Sequence, residues 1–91
     1  MYNLNLIEQN EKNDFLNIVY NKGLMPVISG DKIFVLNTNF DCVFRKKIDD
    51  VSVNDLSDLL GITIVDSKYI YYLFDSAYYN NRGGLGKRKS L

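Results

Sequence analysis

The chain has 91 residues, 46% apolar and 13% aromatic, with eleven acidic and eleven basic side chains and no histidine. That length holds one core and leaves no room for a second. A single cysteine excludes an internal disulfide, and no apolar run approaches the roughly 20 residues of a membrane-crossing helix.

The N-terminal stretch lacks the basic start and long apolar core of a secretion signal, so the cytoplasm is the expected location. The net charge of zero is unevenly spread: residues 1–81 carry all eleven acids against seven bases, and residues 82–91 carry Arg82, Lys87, Arg88 and Lys89 with no acid. The expected organisation is one domain over 1–81 followed by a flexible basic tail over 82–91. Alanine, proline and arginine are scarce while Asn, Ile, Lys and Tyr abound. This coding bias points to an AT-rich genome and suits a phage or mobile element.

Residues 2–7 alternate apolar and polar as a strand does, yet Leu4 and Ile7 also stand at helical spacing. From Asn10 the pattern is helical. Asn10 or Asn13 serves as cap, Phe15, Ile18 and Val19 form the apolar stripe, and Gly23 with Pro26 supplies the stop. The helix is expected over about 11–21, starting as early as Asn5.

Three extended segments follow. Pro26–Ser29 is short, Gly30-Asp31 marks a turn, and Lys32–Leu36 is dense in β-branched and aromatic residues. Asn37-Thr38-Asn39 then turns the chain into a return strand over Asp41–Ile48. There Cys42, Phe44 and Ile48 would share a face and Arg45 and Lys47 the other.

Ser52 with Asp55 forms a capping box for a helix carrying Val53, Leu56, Leu59 and Leu60, which ends at Gly61. Residues 62–65, rich in β-branched side chains, are expected to form a strand or buried joint. Asp66 or Ser67 caps the last helix, whose expected core stripe is Ile70, Leu73, Phe74 and Ala77. The predicted fold class is α+β: a small antiparallel meander of about three strands packed with one N-terminal and two C-terminal helices.

The absence of histidine removes the usual neutral-pH base and the commonest metal ligand, and one cysteine makes no zinc site. Cys42 is expected to be a buried, inert thiol. The acids Asp49, Asp50, Asp55 and Asp58 match no calcium-loop spacing, and acids near a helix start favour its dipole in any case. Residues 83–87, GGLGK, lack both the earlier glycine and the following Ser or Thr of a phosphate-binding loop. No catalytic residues, metal or cofactor are therefore expected, and an enzyme is not.

Two features remain. Residues 54–73 are similar to a helix-turn-helix unit, with Ser57, Gly61, Ile64 and Ile70 at suitable positions. The second helix then presents Asp66, Lys68 and Asp75 where a DNA reader places bases and amides. The second feature is the tyrosine set Tyr69, Tyr71, Tyr72, Tyr78 and Tyr79, too many for one core face. Seven residues span nearly two turns, so Tyr71 stacks above Tyr78 and Tyr72 above Tyr79.

Tyrosine combines large apolar area with a polar handle and is enriched at binding hot spots. The competing explanation is that these rings cover a thin core. The sequence thus leads to a non-catalytic protein-binding module using these tyrosines. It would bind a host factor, as a phage-borne inhibitor of a host protein or defence factor would, or a second copy of itself. The alternative is a small DNA-binding regulator using Lys68, Asn80, Asn81, Arg82, Lys87, Arg88 and Lys89.

Overall fold

The computed structural model describes residues 6–80. Its elements, in chain order, are helix α1 (Leu6–Asn21), strands β1 (Met25–Ser29), β2 (Lys32–Leu36) and β3 (Cys42–Lys47), a 3-10 turn (Ile48–Asp50), and helices α2 (Val53–Leu60) and α3 (Lys68–Tyr79). The three strands form one antiparallel sheet in the order β1-β2-β3. The α+β class is as the sequence predicts. Residues 2–5 of the alternating N-terminal stretch, and the proposed basic tail, lie outside the described residues.

α1 starts earlier than the 11–21 core of the prediction. Leu6 and Ile7 are helical, and Asn10 and Asn13, expected as caps, sit inside the helix on its exposed side. The other end follows the chemistry of its residues. Gly23 adopts φ +74°, its N–H donates to the Tyr20 carbonyl (2.9 Å), and Leu24 N–H donates to the Val19 carbonyl (3.3 Å). This is a Schellman closure with its customary apolar contact, since Leu24 packs on the cluster containing Val19. A Cβ on Gly23 would lie 2.8 Å from the Thr38 methyl, so the position demands glycine twice over.

The β1–β2 hairpin turns on Gly30-Asp31 between the paired residues Ser29 and Lys32. Gly30, at φ +63°, comes first and takes the position that a two-residue turn reserves for glycine, so the order Gly-Asp works here. β3 departs from prediction at one residue. The register runs regularly from Lys32↔Lys47 to Val35↔Phe44 and then slips, so that Leu36 faces Cys42 and Val43 is the extra residue of a bulge. Cys42 is thereby turned off the Phe44 face. It is an exposed thiol whose Sγ–H donates to the Phe44 carbonyl (3.2 Å), not the buried one expected.

The inner face of the sheet buries Pro26, Ile28, Ile33 and Val35 beneath the helices. The core continues through Phe15 and Val19 of α1, Leu56 and Leu60 of α2, and Tyr72, Leu73 and Ala77 of α3. Burying an aliphatic or aromatic side chain of this kind contributes about 1.5–3 kcal/mol each before the chain-ordering cost.

α2 carries the predicted capping box: Asp55 N–H donates to Ser52 Oγ, and Ser52 N–H donates to Asp55 Oδ2 (2.9 Å). The segment 62–65 forms no strand and pairs with neither edge of the sheet. Only Ile64 is buried, and Ile62, Thr63 and Val65 are exposed. Ile64 is held by a side chain instead. Its N–H donates to Ser57 Oγ (2.9 Å), and that hydroxyl lies 3.2 Å from the Ile64 carbonyl and 3.0 Å from the Val53 carbonyl, to either of which it can donate. The small residue at 57 thus anchors the loop.

The Asp55 carboxylate has a second partner, Lys46 Nζ at 2.9 Å. Partial burial works to raise its pKa, but the hydrogen bonds from Lys46 and the Ser52 N–H outweigh burial and hold it below the ordinary value. A carboxylate with a depressed folded-state pKa stabilises the fold above its unfolded pKa of about 4 and loses that contribution as pH falls through the folded value. Asp55→Ala should therefore cost about 1–2 kcal/mol at neutral pH, with the deficit shrinking at acid pH, as the solution passes below the unfolded value of about 4. Urea titrations of both proteins at the two pH values check this. Ser57→Ala should cost about 1–3 kcal/mol by stranding the Ile64 N–H, measured in the same way.

Candidate aromatic face of the last helix

α3 is the helix on which the remaining elements converge, packing on β1, α1 and α2. Asp66 Oδ1 accepts the Lys68 N–H (3.0 Å) at its start, while Ser67 makes no capping bond. At its far end the Asn80 side-chain amide donates to the Pro26 carbonyl on β1 (2.7 Å). Pro26, opposite Val35 in the register, has no N–H to lose at the sheet's edge.

The rotation of α3 about its axis is set on the α1 side. Phe15, Tyr69 and Tyr72 pack as an aromatic trio, with ring centroids 5.2 Å (Phe15–Tyr69), 6.3 Å (Phe15–Tyr72) and 5.5 Å (Tyr69–Tyr72), the last edge-to-face. Around it, Lys68 Nζ meets both Glu11 carboxylate oxygens (2.9 and 3.0 Å), Lys12 Nζ meets Asp75 (3.2 Å), and the Tyr20 hydroxyl bonds the buried Ser76 hydroxyl. The Glu11 hydrogen bonds hold the Lys68 ammonium pKa above its ordinary value.

This arrangement divides the five tyrosines. Tyr72 is 1% exposed and belongs to the core, and Tyr69 is half-buried in the trio and lines the open groove beside α1. Tyr71, Tyr78 and Tyr79 are 56%, 49% and 71% exposed. Tyr72 and Tyr79 lie on one side of α3, but Tyr72 is buried against Phe15 and Tyr69 while Tyr79, the last residue of the helix, is exposed. The pairing of Tyr71 with Tyr78 holds, and Phe74, expected in the core stripe, joins it. Phe74 is half-buried and meets Tyr71 edge-to-face at 6.3 Å. The true stripe is Tyr72, Leu73, Ser76 and Ala77. A serine in this stripe went unanticipated, because its partner Tyr20 lies on another element.

Tyr71, Phe74 and Tyr78 stand at i, i+3, i+7, the anchor spacing by which a helix reads a groove. Of the residues a DNA-binding protein would use, Lys68 is ion-paired to Glu11 and Asn80 is committed to Pro26. Asn81, Arg82, Lys87, Arg88 and Lys89 lie outside the described residues. The connection between α2 and α3, residues 61–67, is also longer than the turn of about three or four residues in a DNA-reading helix pair.

An open groove of about 550 Å³ between α1 and residues 62–66 is lined by Phe15, Ile18, Ile64, Val65, Glu11 and Lys68 among others. Glu11 and Lys68 are ion-paired there, and Asp14 and Asp66 line it as well. No group of three or more His, Cys, Asp or Glu side chains among the described residues is placed to hold a metal ion.

Truncating a ring inside the trio should behave differently from truncating one on the stripe. Tyr72→Ala is expected to cost about 3–5 kcal/mol and Tyr71→Ala no more than about 0.5 kcal/mol, read from urea midpoints.

Comparison with known families, with curated proteins and with solved structures returns no match to this chain.

Proposed function

We propose that this protein is a non-catalytic binding module that engages another protein through the Tyr71–Phe74–Tyr78 face of α3. One observation carries this: Tyr71 and Tyr78 face outward at helical anchor spacing, with the half-buried Phe74 between them, on a helix whose opposite side is pinned by the Phe15–Tyr69–Tyr72 trio. Tyr71 and Tyr78 take no part in the core cluster, and exposed aromatic area of this kind is what binding hot spots are built from. Desolvating the rings against an apolar groove supplies the affinity, and each tyrosine hydroxyl keeps a partner at the rim. The absence of histidine and the mutual neutralisation of Glu11 with Lys68 also favour occlusion or recruitment over chemistry.

With the AT-rich composition, the natural form of such a module is a phage or mobile-element protein that blocks a host factor. Self-association through the same face is the simplest other use of it.

The double variant Tyr71→Ser/Tyr78→Ser should lose partner binding, or dissociate a homodimer, by at least about 30-fold while its melting temperature stays within about 3 °C of wild type. Sedimentation analysis of the full chain tests the dimer, and capture from host extract with both proteins tests a foreign partner. A double variant that unfolds, or one that binds like wild type, removes the aromatic face from consideration.

A further inference from the structure

The sheet has a second face, directed away from the helices. Residues opposite one another in an antiparallel register share a face, so the pairings define this surface row by row. The first row is Ser29, Lys32 and Lys47; the second is Val27, Phe34 and Arg45; the third is Met25, Leu36 and Cys42. Met25, Val27, Phe34 and Leu36 are half-buried and belong neither to the core cluster nor to the side chains packed on it. Cys42 reaches this face only because of the bulge at Val43.

The cations are the telling feature. Lys32 and Lys47 are directly opposed across the ladder, with Arg45 one row away, and all three are exposed. None of them forms a salt bridge among the described residues, whereas Lys12, Lys46 and Lys68 all do. Like charges placed opposite each other weaken a sheet. A chain with four more acids than bases through residue 81 has thus gathered three uncompensated cations at one corner of an apolar sheet face.

We propose that this outer face is a second docking surface, and that its occupant is an acidic, amphipathic segment of another protein. Carboxylates would sit over Lys32, Arg45 and Lys47, and aliphatic side chains over Val27, Phe34, Met25 and Leu36. Charge complementarity selects an anionic partner, and the composition of the apolar part selects protein. Nucleic acid binds sheet faces by stacking bases on aromatic rings, and Phe34 is the single aromatic among the nine positions. The β3 edge carries consecutive Arg45, Lys46 and Lys47 and a bulge, features that discourage strand addition. The docking is therefore face-on. It lies on the side of the sheet away from α3 and does not depend on the aromatic stripe.

The test is a titration of the full 91-residue protein, followed by amide NMR and calorimetry at low salt. The probes are a synthetic peptide that opens on glutamates and closes on alternating leucines, the same peptide with lysines for glutamates, and oligo-dT. The acidic peptide should bind one to one, shift amides in the three rows, and weaken at least about 10-fold with Arg45→Glu/Lys47→Glu. The lysine peptide should not bind. Arg45→Gln/Lys47→Gln provides the same comparison if the charge reversal unfolds the chain.

Lys47→Glu alone should raise the urea midpoint by relieving its opposition to Lys32. No binding of the acidic peptide overturns the proposal. So do shifts confined to Lys87–Lys89, tighter binding of oligo-dT to the same rows, self-association through them, or a lowered urea midpoint in Lys47→Glu.

Discussion

The packing of Tyr72 against Phe15 and Tyr69 is the constraint on which the rest of the molecule's surface depends. A helix turns about 100° per residue, so fixing one ring inward fixes the direction of every other side chain on it. With Tyr72 inside, Tyr71 must point away, and Phe74 and Tyr78 follow on the same side. The polar contacts Lys68–Glu11, Lys12–Asp75 and Tyr20–Ser76 brace this orientation. They are partly exposed, so their role is to discriminate against other rotations more than to add free energy. The core and the outward aromatic face are two results of one packing choice.

A comparable economy operates in the sheet. One extra residue, Val43, moves Cys42 from the helix-covered face to the outer one, because strand side chains alternate with a period of two. The bulge also interrupts the exposed edge of β3. The outer face that results combines half-buried apolar residues with cations that have no salt-bridge partner among the described residues, while the inner face buries Pro26, Ile28, Ile33 and Val35. A small domain with helices on one side of a sheet leaves its other side to solvent or to a partner. With so little core to stabilise it, a cross-strand pair of lysines is a cost that function would explain better than folding.

What was legible in the sequence was mostly local. The Ser52–Asp55 capping box, the glycine stop at Gly23, the Lys32–Leu36 strand and the stretch of the last helix depend on intrinsic propensity, periodicity and hydrogen bonds within a few residues. The reading failed where the outcome rests on which side-chain partner the fold brings up. Residues 62–65 have strand-forming side chains but pair with neither edge of the sheet, and Ser57 captures Ile64 instead. Ile70 and Phe74 have the right spacing for a core stripe. They yield it to Tyr72 and Ser76, because Phe15 and Tyr20 wait on α1.

By itself, then, the sequence determined the α+β class, the order of the main helices and strands, the Ser52–Asp55 cap, the glycine stop of α1, and the excess of tyrosines on the last helix, since each follows from propensity, periodicity or short-range hydrogen bonding. Tertiary structure alone decided which tyrosines are core and which are surface, where Cys42 faces, and which lysines are neutralised. Those outcomes hang on the rotation of one helix and the register of one strand. The rotation is set by contacts between residues tens of positions apart, and the register by a bulge within the β2–β3 hairpin that strand periodicity does not encode.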